Sequence, residues 1–389
     1  MEALNALFRL ADARGLFQCL DPLIKERLFL YADDVLLFVT PHEQDLVLAR
    51  GILELFAADS GLKTNIQKCL ICPIQCYLED TVNLMQHFPS KLSPLPITYL
   101  GIPLAARKLK KCELQPLVDK VNDCLPTWKA NMLSKAGRVV LVKAKLSAIP
   151  VHTAMAIALS PWVIKCIDKR RRAFLWTGSD LAKGGNYLLA WPKVCRPPDL
   201  GGLSFLDLQL FGYALRMRWL WFKRTDPSRP WADLPDVAEP LVVAMFHVSV
   251  SVQVGDGHNT LFWSDRWING RCIEELAPCL YQAVRGRIIK CRSVAQGLSN
   301  NAWVRDISGA LTVQVILDFL LIWDAMRPIT LQQGVHDVFL WKWTSDHCFS
   351  TASAYRAFFI GQHKNSRSQN SAQIKSPGQM QVLFMVGST

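Results

Sequence analysis

The stretch RLFLYADDVLLFVT, residues 27–40, places two adjacent carboxylates, Asp33 and Asp34, between two apolar runs. At neutral pH such carboxylates repel each other unless something compensates their charge. A divalent cation would do so, because two-metal nucleotidyl transfer uses carboxylates to hold Mg²⁺ at the attacking and leaving oxygens. A solvated polar turn is the alternative interpretation of a bare Asp-Asp pair. The apolar flanks, which begin with Tyr31 on one side and Val35 on the other, favour the metal.

Local sequence predicts the elements that position this pair. Two short strands, Leu28–Tyr31 and Val35–Val39, are joined by residues 32–34, so the acids fall at the tip of an antiparallel hairpin. Thr40 is the predicted N-cap of a helix from about Pro41 to Asp59, with proline in the first turn. The acids therefore belong to a strand-turn-strand-helix unit.

Charge is concentrated in one part of the chain. The 389 residues carry a net charge of +12. Residues 107–172 hold fifteen Lys or Arg and four Asp or Glu, a local balance of +11. A basic surface confined to one region is typical of proteins that bind nucleic acid. A face that covers an acidic protein partner is the alternative.

Cysteines and apolar stretches indicate an intracellular protein. The twelve cysteines are scattered and no secretory signal precedes them, which predicts free thiols in the nucleus or cytoplasm rather than a secreted protein. Residues 146–164 have no formal charge, but Pro150, His152 and Pro161 interrupt them. A buried segment is expected there and no membrane span.

Several motifs together resemble the reverse transcriptases of plant non-LTR (LINE-type) retroelements. The segment LYADDVLLF resembles the catalytic hairpin of that family. Further segments resemble later landmarks of the same polyproteins and follow in the family's order, namely GLKTNIQKC, ITYLGIPL, WKANMLSKAGRVVLVKAKLSAIP, RRRAFLWTGSD, PPDLGGLSF, VGDGHNTLFWSDRW and FLWKWTSDHCFSTASAY. The resemblance covers roughly residues 1–358.

The resemblance implies an α+β fold with four regions. Residues 1–104 would be the C-terminal part of the polymerase palm, and residues 105–235 a basic, mainly helical thumb-like region. Residues 236–358 would form a small, mixed, Trp-rich region that resembles the segment before the zinc knuckle of these retroelements. All thirteen tryptophans lie at or beyond Trp128, so the C-terminal two thirds of the chain differs in composition from the first hundred residues. Residues 359–389, rich in Ser, Gln, Asn and Lys, are expected to be disordered.

The resemblance also implies roles for single residues. Asp33 would be the Mg²⁺ ligand of the hairpin and Asp34 its neighbour. Lys68 would approach the phosphates of the incoming nucleotide, with a solvated loop lysine as the alternative. The primer strand would contact five further residues: Tyr31, Ala32, Tyr99, Leu100 and Gly101. The implied partners are an RNA template and a DNA primer.

The sequence departs from the family in ways that bear on activity. The family completes its metal site with an aspartate upstream of the hairpin, and neither that aspartate nor the fingers has a counterpart here. The isolated chain is therefore expected to be inactive as a polymerase. The runner-up interpretation is a non-catalytic nucleic-acid-binding remnant that uses residues 107–172. The oligomeric state is left open.

Three further motifs have plainer interpretations. Cys69, Cys72 and Cys76 lack a fourth ligand within the next ten residues, so half-buried thiols are expected and no zinc. VGDGHNT lacks the Gly-Lys-Ser/Thr of a phosphate loop and predicts a tight turn followed by a short aromatic strand. The run Lys169, Arg170, Arg171 and Arg172 could contact phosphates, serve as a nuclear localisation patch or form a solvated helix face. Core packing is expected of the neighbouring Phe174 and Trp176.

Overall fold

The computed structural model describes residues 1–20, 26–124, 132–179, 188–229, 231, 232, 234 and 238–361. The fold is α+β, as predicted: helices predominate and the strands are short. Among the described residues the strands form four separate two-stranded sheets. Buried apolar side chains form three clusters, which follow one another along the chain.

The first cluster lies under the predicted palm segment. The elements there are α1 (Glu2–Ala13), β1 (Leu28–Tyr31), β2 (Asp34–Leu37), α2 (Glu43–Ser60), a 3₁₀ turn (Ile66–Lys68), β3 (Leu70–Ile71), α3 (Leu78–His87), β4 (Lys91–Leu92), β5 (Ile97–Tyr99) and β6 (Ile102–Leu104). The pairs β1–β2 and β5–β6 are antiparallel, and β3–β4 is parallel. A single palm sheet is thus not formed by these strands.

The predicted hairpin is confirmed, but its second strand runs from Asp34 to Leu37 instead of from Val35 to Val39, and the start of the helix after it is corrected. β1 and β2 pair in register, with Leu28 opposite Leu37 and Tyr31 opposite Asp34. The helix begins at Glu43 with His42 as its N-cap, two residues later than predicted. Thr40 does not cap the helix, because its Oγ1 donates instead to the carboxylate of Asp45.

Two buried charged residues, Arg27 and Asp45, bind the chain at the base of this hairpin. Arg27 donates from Nε to Asp12 Oδ1 at 2.6 Å and also to the carbonyl of Gln18. The guanidinium lies 4.6 Å from the ring centroid of Phe17. Buried Asp45 accepts from the Gln18 backbone N–H at 3.2 Å. The strands are therefore anchored to α1 and α2 by polar contacts as well as by the apolar face of β1.

The second cluster is helical. Its elements are α4 (Lys111–Asp123), α5 (Lys135–Leu141), a π-helical turn (Val142–Leu146), α6 (Ile149–Ala156), α7 (Pro161–Thr177) and α8 (Trp191–Cys195). Phe174 is fully buried and Trp176 packs against the same core, as expected. Within the described residues one helical stretch, Lys135–Ala156, is long and apolar enough to cross a membrane by length and composition. Here it packs against α4 and α7.

The third cluster is rich in aromatic side chains. Its elements are α9 (Leu208–Thr225), α10 (Pro240–Ser249), β7 (Val250–Gln253), α11 (Ile273–Leu276), α12 (Pro278–Gln282), α13 (Gly286–Ile289), α14 (Val294–Leu298), a 3₁₀ segment (Ser299–Asp306), α15 (Val313–Met326), β8 (Val338–Trp341) and α16 (Thr351–Ala357). β7 and β8 pair antiparallel.

The prediction of a short aromatic strand after VGDGHNT is wrong. β7 precedes that loop, and residues 258–267 form turns with a single bridging residue, Leu261. The turns are held locally, since Asp265 accepts from the Leu261 N–H at 2.7 Å and Trp267 Nε1 donates to the carbonyl of Phe262 at 2.7 Å. The aromatic rings of this segment pack against each other inside the core, Phe262 and Trp263 edge-to-face and Phe262 and Trp267 at a tilt, instead of alternating across a sheet.

Helix α9 joins the second and third clusters. Leu208 at its start is buried in the second, whereas Met217 is buried in the third. Tyr355 on α16 accepts a hydrogen bond from the Asp207 N–H at 2.9 Å, and burial raises the pKa of its phenol.

The predicted start of the disordered tail, residue 359, is too early in the chain. Phe359 is buried against the third cluster and belongs to the folded part. Residues 362–389 of that predicted tail lie outside the described residues.

A candidate metal-binding hairpin and a basic surface

The tip of the β1–β2 hairpin is a two-residue turn made of Ala32 and Asp33. Ala32 has a left-handed backbone with φ of 51°, and Tyr31 to Asp34 are all exposed. An L-residue other than glycine in that region costs about 1–3 kcal/mol, and such strain is found most often at functional sites. The strained turn holds the Asp33 and Asp34 side chains at the surface, beyond the buried part of β1.

Asp33 and Asp34 are available as ligands. Neither side chain makes a hydrogen bond or ion pair with any other part of the chain that the structure describes. Carboxylate oxygens are the ligands that Mg²⁺ prefers, and the ion keeps waters or substrate phosphates as its other ligands. The described residues contain no group of three or more His, Cys, Asp or Glu side chains that could hold a metal ion. The site as described offers two carboxylates.

A second hairpin tip lies near the first. β5 and β6 are joined by Leu100 and Gly101, whose φ values of 50° and 76° are those of a tight hairpin turn. Burial raises the pKa of Tyr99, and the nearby charge of Asp34 raises it further. His152 Nε2 lies 2.9 Å from the carbonyl oxygen of Leu100, which fixes this turn on α6. The charge of Asp34 on the first tip thus acts on Tyr99 of the second.

Lys68 and the cysteines after it form a separate feature. Lys68 is exposed at the end of the 3₁₀ turn, and no hydrogen bond or ion pair joins its side chain to Asp33 or Asp34. Cys69 and Cys72 are half-buried, and burial raises the pKa of both thiols. Half-buried thiols are what the sequence predicted here, and the structure confirms them. The predicted role of Lys68 toward nucleotide phosphates stays a prediction.

Most cationic side chains of the basic segment 107–172 are exposed, but some of them are buried in the core. Among the residues of this segment that the structure describes, ten cationic side chains are exposed: Arg107, Lys108, Lys110, Lys111, Lys120, Lys135, Lys143, Lys145, Lys165 and Lys169. Arg170 and Arg171 are only 4% and 0% exposed. The prediction that these two arginines contact phosphates is therefore corrected, because their guanidinium groups lie inside the fold. Lys169 remains on the surface, and Arg172 is half-buried with its Nε donating to the carbonyl of Asp168.

Arg171 is the polar centre of the second cluster. It donates to Asp168 Oδ1 at 2.7 Å, to Ser147 Oγ at 2.9 Å and to the carbonyl of Leu206 at 2.7 Å. Its guanidinium also lies 5.0 Å from the ring centroid of Trp191. These contacts tie α7 to the π-helical turn, to α8 and to the chain before α9. The i,i+3 spacing of Asp168 and Arg171 is the signal in the sequence that favours an ion pair over a solvated run.

The VGDGHNT loop binds a carboxylate from the chain itself. Asp337 accepts hydrogen bonds from the N–H groups of Gly255 at 2.8 Å, Gly257 at 2.9 Å and Asn259 at 3.1 Å. It also accepts from Thr260 Oγ1 at 2.7 Å. Successive N–H groups in such a turn form a concave anion site. The turn was predicted correctly, but its carboxylate lies about eighty residues away in sequence and was missed.

No family model matches this chain. It is similar to a protein of Arabidopsis thaliana that is provisionally named a ribonuclease H protein, with 25% identity over 292 residues. That alignment covers 67% of this chain and 44% of the relative, so the chain spans less than half the length of that relative. An uncharacterized mitochondrial protein of the same plant is 26% identical over 149 residues, or 31% of this chain and 93% of that protein.

Both similarities are consistent with a plant retroelement-derived protein.

Proposed function

We propose that this chain is a reverse-transcriptase-related, nucleic-acid-binding part of a plant non-LTR retroelement protein. The observation that carries the proposal is the electrostatic interaction between two hairpin tips. One bears the Asp-Asp pair of LYADDVLLF, and the other bears Tyr99 of ITYLGIPL, close enough for the charge of Asp34 to act on the phenol. In a polymerase of this class the two motifs serve one primer terminus.

The proposed chemistry assigns a role to each exposed group. Asp33 and Asp34 would hold Mg²⁺, which in nucleotidyl transfer stabilises the charge on the attacking and leaving oxygens. Tyr31 and Ala32 on one tip, and the Tyr99–Gly101 turn on the other, would position the primer strand. The ten exposed cations of the basic segment would bind the phosphates of an RNA template or a DNA primer, since such contacts supply most of the non-specific affinity of a nucleic-acid-binding protein.

The purified chain is expected not to extend a primer on an RNA template, even with excess Mg²⁺ or Mn²⁺. Its described residues offer two carboxylates for the metal, and Mg²⁺ loses hydration water reluctantly. Positioning of the reactants can supply roughly 7–11 kcal/mol of a barrier, and the hairpins alone do little to position a nucleotide. The measurement is incorporation of labelled nucleotide on a primed RNA.

Asp33→Ala and Asp34→Ala are the controls for this assay. Template-dependent incorporation that disappears in either variant would contradict the prediction and show that the metal site is completed by another residue or another chain. Incorporation that survives both substitutions would indicate a contaminating polymerase. Binding of the same primed RNA without incorporation is the outcome expected of the non-catalytic alternative, which the two-carboxylate site favours.

Binding to nucleic acid is expected to depend on the exposed lysines and to fall steeply with salt. Replacing Lys135, Lys145, Lys165 and Lys169 together by alanine should weaken binding and reduce the slope of log affinity against log salt by about 1 for each lost phosphate contact. All four side chains are exposed, so the core is left intact. Fluorescence anisotropy with a labelled oligonucleotide over a salt series measures both quantities.

A matched control removes four exposed cations from the third cluster, Arg271, Arg285, Arg287 and Lys290. Both variants change the net charge equally, so a general loss of positive charge would affect them alike. An equal reduction in affinity and in salt slope would remove the basic segment from the binding surface. Unchanged binding in both variants would favour the interpretation that this segment serves a protein partner.

A further inference from the structure

An open, polar cleft lies in the third cluster, and none of its lining residues belongs to the hairpins or to the basic segment. Its volume is about 560 Å³, and its walls come from the VGDGHNT loop, α14 and the 3₁₀ segment Ser299–Asp306. Six polar side chains line it: His258, Arg292, Gln296, Ser299, Asn300 and Arg305. Two alanines are the remaining lining residues. Pockets for small organic ligands are mostly apolar, so this lining does not fit such a ligand.

The cleft carries the positive charge of Arg305, and no Asp or Glu is among its lining residues. Arg305 is exposed and has no hydrogen bond or ion pair with the residues the structure describes. Arg292 donates through Nε and Nη2 to the buried carboxylate of Asp306, which holds the guanidinium in place. Its Nη1 takes no part in that pair. One guanidinium is therefore fixed at the cleft and a second is free.

The other lining groups add hydrogen-bond donors. Gln296 accepts the Ser293 N–H through Oε1, which leaves its NH₂ group for another partner. Ser299 and Asn300 are exposed at the rim, and no hydrogen bond to their side chains is seen among the described residues. Arginine, asparagine, glutamine and serine side chains are the groups that contact phosphate oxygens in nucleic-acid complexes.

We propose that this cleft binds a phosphate group in the backbone of a nucleic acid, as a second contact point beside the basic segment. The inference rests on the proposed function, because it takes the ligand to be the nucleic acid that the basic segment binds. Arg305 supplies the charge, Arg292 a preoriented donor, and Gln296 and Asn300 the neutral donors. The open shape suits a strand that passes through the cleft.

The test measures the affinity of the full chain for a fluorescein-labelled single-stranded DNA oligonucleotide at two salt concentrations. Arg305→Ala is expected to weaken binding about three- to tenfold at low salt and to reduce the salt slope by about 1. Arg305→Lys should keep most of the affinity, since it keeps the charge. Arg287→Ala is the matched control, because Arg287 is exposed in the same cluster and does not line the cleft.

The outcomes separate this proposal from the proposed function. If the four-lysine variant weakens binding while Arg305→Ala and Arg287→Ala both bind like the wild type, the cleft proposal is overturned and the basic segment stands. If the wild-type chain binds no DNA at all, both fail. Hydrogen exchange of residues 292–305 gives an independent readout: slower exchange on DNA binding in the wild type but not in Arg305→Ala supports the cleft, and equal exchange with and without DNA contradicts it.

Discussion

Replacing Arg171 by methionine is expected to lower the free energy of unfolding by about 3–5 kcal/mol, because it leaves a mostly buried carboxylate without its partner. Arg171 is fully buried, and it donates to Asp168, to Ser147 and to the carbonyl of Leu206. Methionine fills similar volume but donates no hydrogen bond. A loss of this size is a large share of the stability of an ordinary domain. Urea denaturation followed by circular dichroism measures it.

The loss should also depend on pH. Burial raises the pKa of Asp168, and the positive charge of Arg171 opposes that rise. Without Arg171 the pKa of Asp168 rises further, so the folded state binds this proton more tightly than the unfolded state does. Stability then falls as pH increases from about 4, the ordinary value for aspartate, through the raised pKa. The deficit of the variant is therefore expected to be larger at neutral than at acid pH.

Two further variants test this explanation. Lys169→Met removes an exposed cation from the same helix and should change the stability by less than about 0.5 kcal/mol. Adding Asp168→Asn to Arg171→Met removes the unpaired charge and should recover part of the loss and abolish its pH dependence. If Arg171→Met were as stable as Lys169→Met, Arg171 would not be the polar centre of this core.

Replacing Asp337 by alanine is expected to cost about 3 kcal/mol or more in stability of the third cluster. Four donors, three of them backbone N–H groups, lose a charged acceptor, and each hydrogen bond to a charged group contributes about 1.5–3 kcal/mol. Part of this is offset by water, because Asp337 is only half-buried. Hydrogen exchange of residues 254–260 should accelerate together with the loss of stability.

Asp324→Ala is the matched control, since Asp324 is exposed and makes no hydrogen bond or ion pair within the described part of the chain. Gly255→Ala disturbs the same loop with Asp337 intact, because a Cβ at Gly255 would lie 2.2 Å from the carbonyl oxygen of Val335. Both loop variants should speed exchange over residues 254–260. Normal exchange in Asp337→Ala would show that the loop holds its shape without the carboxylate.

Local patterns were enough to predict the hairpin. The β1–β2 pair joins two short apolar runs through a two-residue turn, and each interaction that defines it lies within a few residues in sequence. The start of α2 was missed by two residues because Thr40 has two competing partners, the helix N-terminus and Asp45. The buried Asp45 is itself bound to the backbone of Gln18, twenty-seven residues away. That long-range contact decided the cap.

The run of four cations shows the limit of sequence-based interpretation most clearly. Side chains along Lys169–Arg172 point in different directions around a helix, so they cannot all share one environment. Which two are buried depends on where α7 meets the π-helical turn and α8, and only the packing fixes that. Charge composition therefore located the basic segment but could not predict which of its cationic side chains are exposed and which are buried.

The sequence by itself determined the hairpin with Asp33 at its turn, the helix that follows it and the location of the positive charge, because each follows from local periodicity or from counting. The α+β composition was implied by the resemblance to a known family and not by a local pattern. Only the tertiary structure decided that Arg170 and Arg171 are buried, that Tyr99 lies near Asp34 and that Asp337 fills the VGDGHNT loop. These facts join residues far apart in the chain. Their free energy comes from desolvation and from hydrogen bonds formed when separate elements pack, and no local pattern encodes those terms.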